Sequence, residues 1–471
     1  MMRSTLSATT CDAKPQRQLF YLVIATLVST LAGFLFGYDN LVISGAIGYV
    51  SRFYALDAAG VGWVASCAVI GCWAGSMTAG WIVDRLGAKF GLWLCAICFT
   101  ASSIGVWLFA NSLAEYTLWR ILGGLGIGGA SIVAPMYIAE IAPARIRGRL
   151  VTLYQMGIVL GIVSAVFVNM LIQRMGDDAW NIAVGWRWMF LAGVVPAAFF
   201  AVAIMPAVES PRWLMKMNRN AEAKEILCRL NGPAVASVEA DQIQQSLAQE
   251  GGGMTELFTT GFRRALLVGV ALAGLSQASG IFCLLSFLPE VLKAAGVETS
   301  DAFFQTVLVG VVLAVFTLAA MSLVDVAGRR TLILFGTLMQ FISFAAVGWF
   351  YYSNGSGFGI LVFVMIFAAA HAIGNGAVCW VIISEIFPTK VRGRAMSIAT
   401  MSLWLVAYIG NLIFPLMQKH LGNSGTFWCF SAAAFVNLIF VLLWVPETKG
   451  RSLEQIESIW ASDEERLAGT A

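Results

Sequence analysis

Two oppositely charged residues sit where charge is expensive. Asp39, in Gly37-Tyr38-Asp39-Asn40, and Arg120, opening Arg120-Ile121-Leu122-Gly123-Gly124, both fall inside long apolar runs. An ionisable side chain there has to be paired or used, so each is a functional candidate by default. The chemistry open to them is proton exchange on the carboxylate and charge-assisted hydrogen bonding by a guanidinium that stays charged. His371 is a third candidate, one of 2 histidines, with Asn375 about one helical turn later on a similar face. A histidine in a helix either packs with its hydrogen bonds satisfied or lines a pocket, and its place within an apolar run favours pocket contact. No Walker motif, metal-ligand spacing or nucleophile elbow is present, so neither an enzyme nor an ATP-driven pump is expected, and no cofactor or metal. Gly124-Leu125-Gly126-Ile127-Gly128-Gly129 fits G-x-G-x-x-G. No strand precedes it, however, and small residues inside an apolar run more simply allow close helix packing.

A second set of charges comes as a repeat. Glu140, Pro143, Arg147, Gly148 and Arg149 recur at identical spacing as Glu385, Pro388, Arg392, Gly393 and Arg394, each set following an apolar run. Asp84-Arg85-Leu86-Gly87 with Lys89 is answered by Asp325-Val326-Ala327-Gly328-Arg329-Arg330. The chain is therefore two related halves. A carboxylate ending one helix, a proline stopping the segment and an Arg-Gly-Arg turn can form an ion-pair network that holds helix ends together. That network is expected to gate a conformational change; the alternative is that these arginines only set topology. In the first half Ala88 stands where the second has Arg329, which weakens that latch.

The elements that must position these residues are apolar helices. Of 471 residues, 59% are hydrophobic and only 12% charged, with a mean hydropathy of +0.81. Spread over soluble domains, such a chain would expose large apolar patches, so it is a polytopic membrane protein. Twelve stretches suit spans of about 20 residues: 19–47, 60–83, 90–110, 114–138, 149–172, 187–206, 264–292, 303–325, 331–353, 358–383, 395–417 and 425–445. They are too long and too uniformly apolar for barrel strands. With both ends cytosolic, 23 Lys and Arg fall in tails and inner loops and five in outer loops (Arg52, Arg174, Arg187, Lys293 and Lys419). The positive-inside rule selects that orientation, and the net charge of +3 forms no nucleic-acid patch.

Residues 1–18 form a polar tail, and the apolar run after it continues past a signal-peptide core without a small-residue cleavage site, so retention is expected. The 9 cysteines are scattered, and Cys95-x-x-Cys98 lies within a span, as buried thiols would. Between 207 and 263 the composition turns polar. Helical spacing over 221–230 and 237–249 precedes Gly251-Gly252-Gly253, giving a solvated linker or a small helical plate that latches the halves. The resulting division is tail 1–18, first bundle 19–206, linker 207–263, second bundle 264–446 and tail 447–471.

Taken together, these motifs resemble those of the sugar porter family of the major facilitator superfamily. The resemblance rests on both E-x-x-P-x-x-x-R-G-R copies, Arg120 with its glycines, Val208-Glu209-Ser210-Pro211-Arg212-Trp213-Leu214, and Pro446-Glu447-Thr448-Lys449-Gly450, and it covers 18–456. It is strongest toward bacterial D-xylose-type sugar–proton symporters. It implies an all-α membrane protein of twelve transmembrane helices in two pseudo-symmetric six-helix bundles, multi-pass in the cytoplasmic membrane and functional as a monomer. It further implies a monosaccharide and a proton as ligands, the lipid bilayer as the surroundings, and no nucleic acid. Proton symporters of the family carry an acid at the position of Asp39, with Arg120 as its partner; a permanent structural pair is the alternative. The implied gating set is Asp84, Arg85, Glu140, Arg147, Arg149, Glu209, Arg212, Asp325, Arg329, Arg330, Glu385, Arg392, Arg394 and Glu447.

Sugar recognition needs hydrogen-bonding side chains and aromatic faces in a largely preformed pocket. The resemblance retains Phe36, Gln155, Gln277, Gly376, Trp380 and Trp404, while His371 and Asn375 are additions of this chain. Several family polar positions are altered: Ser276, Phe282, Ser286, Leu313 and Leu403 replace amides or a tyrosine, and Gly193 stands where the xylose type has an acid. Alternatives to proton-coupled monosaccharide transport are therefore a facilitator, or a carrier of a polyol or sugar acid. A non-transporting sugar receptor ranks lower, because the stretch after Pro446-Glu447-Thr448-Lys449-Gly450 is short.

Overall fold

Caps and breakers in the sequence set where the helices start and stop. The computed structural model describes residues 15–142, 147–249, 260–387 and 392–449. The expectations placed on Pro143, Pro388, Gly251-Gly252-Gly253, the extreme tails and the side chains of Arg147, Arg149, Asp325 and Arg392 lie outside the described residues. The first six spans are span 1 (Pro15–Phe53), span 2 (Ala58–Leu86), span 3 (Ala88–Phe109), span 4 (Leu113–Ile141), span 5 (Arg147–Gln173) and span 6 (Asp178–Ile204). Asp57 caps span 2 by accepting from the Gly60 amide at 2.8 Å. Ser112 opens span 4 in a capping box, its hydroxyl accepting from the Glu115 amide while Glu115 accepts from the Ser112 amide at 2.9 Å. Span 6 starts nine residues earlier than its apolar signal, with Asp177 capping Asp178–Trp180 and a π-helical turn at Asn181–Gly185. Polar residues there hide the helix from a reading based on hydropathy.

Short helices follow at Pro211–Lys216, Asn220–Asn231 and Pro233–Gln249. The second half has span 7 (Thr260–Ala278 and Ile281–Ala294), span 8 (Thr299–Ala327), span 9 (Arg329–Tyr352) and span 10 (Gly357–Ile386). A helical stretch of 53 residues, Arg392–Trp444, is the last described helix. At about 1.5 Å per residue it is more than twice as long as the ~30 Å hydrocarbon layer. Gly422, at φ 68° and ψ 176°, breaks it into spans 11 and 12. Among the described residues, eleven helices are long and apolar enough to cross a membrane, and the last makes two crossings, giving the twelve-helix, two-bundle fold. Bulky side chains such as Trp81, Phe199, Val315 and Leu443, each more than half exposed, face outward where lipid tails would lie.

Helix contact in lipid has no hydrophobic drive of its own, so it depends on close backbone approach. In the first bundle glycines interdigitate. A Cβ on Gly33 or Gly37 of span 1 would strike the Tyr154 or Ile158 carbonyl of span 5, and one on Gly157 or Gly161 would strike Thr30 or Phe34. Spans 2 and 4 repeat the device: Gly71 and Gly75 seat against the Ile121 and Leu125 carbonyls, Gly124 and Gly128 against Ala68 and Cys72. The glycine-rich stretch of span 4 is thus a packing surface. It places Arg120 one turn before Gly124, while Gly37 places Asp39.

The halves meet at the end opposite the repeated charged motifs. Gly62 of span 2 packs on the Leu412 carbonyl of span 11, and Gly48 of span 1 on the Glu290 carboxylate of span 7. Lys293 pairs with Glu290 at 2.9 Å and lies 5.8 Å over the Tyr49 ring, joining span 7 to span 1.

Candidate functional site

Spans 1 and 4 bring Asp39 and Arg120 together. Arg120 Nη1 donates to Asp39 Oδ1 at 2.9 Å and Nη2 donates to the Asp39 carbonyl at 3.1 Å. The guanidinium therefore holds one carboxylate oxygen and one main-chain oxygen rather than both oxygens of the carboxylate. Both residues are buried, Arg120 at 2% and Asp39 at 6% exposure, so water does not screen the pair. Asp39 Oδ2 and Arg120 Nε are buried without partners, leaving capacity for a second arrangement. Phe190 of span 6 covers the guanidinium face at 5.0 Å, and Tyr38 donates to the Met189 carbonyl at 3.2 Å, fixing span 6 against the pair.

An aromatic cluster lies where the halves adjoin. Trp404 of span 11 packs against Phe36 of span 1 at 5.8 Å and Phe282 of span 7 at 5.7 Å between ring centroids. Trp404 Nε1, a donor, and Gln277 Oε1, an acceptor, are buried and unpartnered. Gly280, at φ +87°, interrupts span 7 between Gln277 and Phe282, and a Cβ there would press on Phe430 at 2.6 Å. Discontinuous helices of this kind line binding sites in transport folds. Gln155 of span 5 and Gly376 and Trp380 of span 10 are half-buried.

His371 and Asn375 of span 10 share a hydrogen-bonding partner in span 9. Gln340 of span 9 donates through Nε2 to His371 Nδ1 at 3.1 Å and accepts from Asn375 Nδ2 at 2.8 Å. Exposure is 0% for Gln340, 8% for His371 and 2% for Asn375, so in this conformation their hydrogen bonds serve the inside of the second bundle. The reason is local. Span 10 runs as a π-helix over Ala372–Gly376, and Gly336 meets Gly374 so closely that spans 9 and 10 touch at backbone distance. Gln340 was missed by sequence reasoning, although the rule that flagged His371, a polar residue within a span, would have found it.

The charged ends hold two matching devices. Glu209 accepts from the Lys89 amide at 3.1 Å at the start of span 3, and Glu447 accepts from the Arg329 and Arg330 amides at 3.1 Å at the start of span 9. Each acid thus caps a helix N-terminus, where orphan amides and the helix dipole favour negative charge. Gly87 and Gly328, at φ +94° and +89°, leave room for those carboxylates. Lys89 donates to the Met205 and Ala207 carbonyls, and Arg330 to that of Leu442, which are equivalent places. Arg329 pairs with Glu385 at 3.2 Å; the buried Ala88 supplies no such partner in the first half. Asp84 pairs with Lys216 at 2.8 Å, tying span 2 to the helix that carries Arg212, and Arg85 stacks on Trp81 at 4.3 Å. Glu140 is half-buried in the last turn of span 4, and Arg394 is exposed near the start of span 11.

With this geometry in place, comparison with known proteins is decisive. The family model described as "Sugar (and other) transporter" matches residues 25–460. The chain belongs to that family. Family members similar to it include an arabinose-proton symporter of Bacillus subtilis (strain 168), 38% identical over 93% of this chain and 95% of the relative. A D-xylose-proton symporter of Escherichia coli (strain K12) is 35% identical, covering 96% and 98%. Among solved structures of the family, the partially occluded inward-open form of the Escherichia coli xylose transporter superposes with a TM-score of 0.84 at 33% identity, over 92% of this chain and all of that one.

Proposed function

We propose that this protein moves a monosaccharide across the cytoplasmic membrane by alternating access, coupled to proton symport through Asp39. The buried Asp39–Arg120 pair, with its unpartnered carboxylate oxygen, carries the reading. Protonation from the outer side neutralises Asp39 and weakens its hold on Arg120; deprotonation on the inner side restores it. Sugar is held at the junction of the halves. Trp404 and Phe36 offer faces to the ring's C–H surface, Gln277 Oε1 and Trp404 Nε1 an acceptor and a donor for hydroxyls, and Gln155, Gly376 and Trp380 complete the wall. His371 and Asn375 act behind that wall through Gln340.

The acids and bases at the charged ends, from Asp84 to Glu447, form the inner gate. Both termini are cytosolic, the boundaries 19–206 and 264–446 delimit the bundles, and a single chain is the working unit. A second reading is a passive facilitator or a carrier of a polyol or sugar acid, since the apolar Phe282, Leu313 and Leu403 stand where the sugar porter resemblance has polar side chains, so the cargo is held differently.

The test is uptake of labelled pentoses, hexoses, polyols and sugar acids into proteoliposomes, with and without an inward proton gradient, for the wild type and Asp39→Asn. Symport predicts accumulation above equilibrium only with the gradient, and only equilibration by Asp39→Asn. Accumulation by the Asn variant would remove Asp39 from the coupling; wild-type equilibration indifferent to the gradient would make the protein a facilitator.

A further inference from the structure

Gln340 lies in the middle of span 9 at 0% exposure, so its amide must find its partners inside the second bundle. It has two. Asn375 Nδ2 donates to Gln340 Oε1 at 2.8 Å, which leaves Gln340 Nε2 to donate to His371 Nδ1 at 3.1 Å. The direction of this relay follows from what lies beyond Asn375. Its Oδ1 is buried without a partner, and reversing the relay would put the amino group, with two donors, in that place. For main-chain amides an orphaned buried N–H is rarer than an under-satisfied carbonyl oxygen, and a side-chain amide has the same groups. Nδ1 of His371 is therefore an acceptor, and the neutral ring carries its proton on Nε2.

The other edge of the ring adjoins the wall of the proposed site. Span 10 has no side chain at Gly376, and the three atoms nearest to a Cβ there all belong to His371. They are its carbonyl oxygen at 3.1 Å, ring Cδ2 at 3.7 Å and carbonyl carbon at 3.8 Å. Cδ2 is bonded to Nε2 on the edge away from Nδ1, so the gap left by the glycine opens on the edge that ends in the N–H. We propose that Gln340 is a positioning residue for sugar binding: by holding His371 Nδ1 it aims the Nε2–H edge through the gap at Gly376, as a donor to a sugar oxygen. The inference rests on the reading of the junction as a sugar site. Gln340 itself touches no cargo. Its effect passes through one ring, which becomes a fixed donor, and Asn375 fixes the amide in turn.

A packing role alone makes a different prediction. Gln340 also ties span 9 to span 10 beside the close approach of Gly336 and Gly374, so its loss weakens that contact whatever His371 does. Gln340→Met keeps a similar volume and removes both hydrogen bonds. Only a role that passes through the ring makes its effect on sugar affinity vanish once the ring is already gone.

Two measurements on the full chain test this. The first is side-chain nitrogen NMR of protein carrying isotope-labelled histidine, titrated with the pentoses and hexoses of the uptake panel. The chain has 2 histidines, and His420→Gln assigns the signals. His371 should carry its proton on Nε2, and the sugar that binds should shift Nε2 far more than Nδ1. A ring protonated on Nδ1, or an Nε2 signal that ignores a bound sugar, overturns the proposal. The second is the dissociation constant of that sugar for Gln340→Met, His371→Phe and the double variant. Each single variant should bind roughly three- to ten-fold more weakly, as for the loss of one hydrogen bond. The double variant should match His371→Phe within about two-fold. A Gln340→Met protein that binds like wild type, or losses that multiply in the double variant, also overturns it. If Gln340→Met is not recovered from membranes, the wild-type spectra decide. Should no pentose or hexose bind or be taken up, the sugar reading itself fails; a sugar that binds and leaves His371 unmoved refutes the role of Gln340 alone.

Discussion

Asp39 and Arg120 lie 2.9 Å apart in a part of the molecule that excludes water, so each makes the other's charge tolerable. Removing one partner of such a pair typically costs about 3–5 kcal/mol, because the survivor is left buried and uncompensated. Arg120→Met should therefore lower the thermal unfolding temperature in detergent sharply. Asp39→Asn combined with Arg120→Met should recover part of that loss. A double variant whose losses simply add would show that the two residues do not stabilise one another. These two residues were legible because charge inside an apolar run needs a reason.

At the scale of elements, glycine spacing decides which helices touch. Gly37 and Gly157 each abut a facing carbonyl, whereas nothing lies within 4 Å of a Cβ on Gly80. Gly37→Leu and Gly157→Leu should each destabilise by roughly 1–3 kcal/mol through overpacking. Gly80→Ala should stay within about 0.5 kcal/mol of wild type. Melting temperatures by scanning fluorimetry would check the contrast, and a silent Gly37→Leu would remove the close-approach account of spans 1 and 5. The sequence showed that small residues favour close packing in span 4, but not that Gly124 and Gly128 face span 2 while Gly123 faces span 3. That assignment depends on the rotation of span 4 between its neighbours.

For the whole molecule, the halves touch at Gly48 and Gly62, far from the repeated charges. Under alternating access these contacts must part whenever the site faces that end. Gly62→Trp and Gly48→Leu put bulk where the Leu412 carbonyl and Glu290 carboxylate sit, so they should hold that end open. Sugar binding from that side should persist while counterflow exchange is lost. A Gly62→Trp protein exchanging sugar at the wild-type rate would sink this account. Lys293 was read from the sequence only as an outer-loop charge, and its junction with Glu290 and Tyr49 was not, because a charged pair at a helix end also reads as ordinary solvated surface.

The sequence by itself determined the membrane class, the crossings, the duplication and the costly charges, all of which follow from local composition and spacing. Hydropathy is local, and a misplaced charge is visible without knowing its neighbour. Beyond the Asp39–Arg120 pair, tertiary structure alone decided the partners. It turned His371 and Asn375 toward Gln340 through a π-helical turn, made Glu209 and Glu447 caps on the first turns of spans 3 and 9, and set Trp404 against Phe36 across the two halves. Those outcomes depend on helix rotation and on how closely glycines let backbones approach. Residues far apart along the chain set both quantities, so no window of sequence contains them.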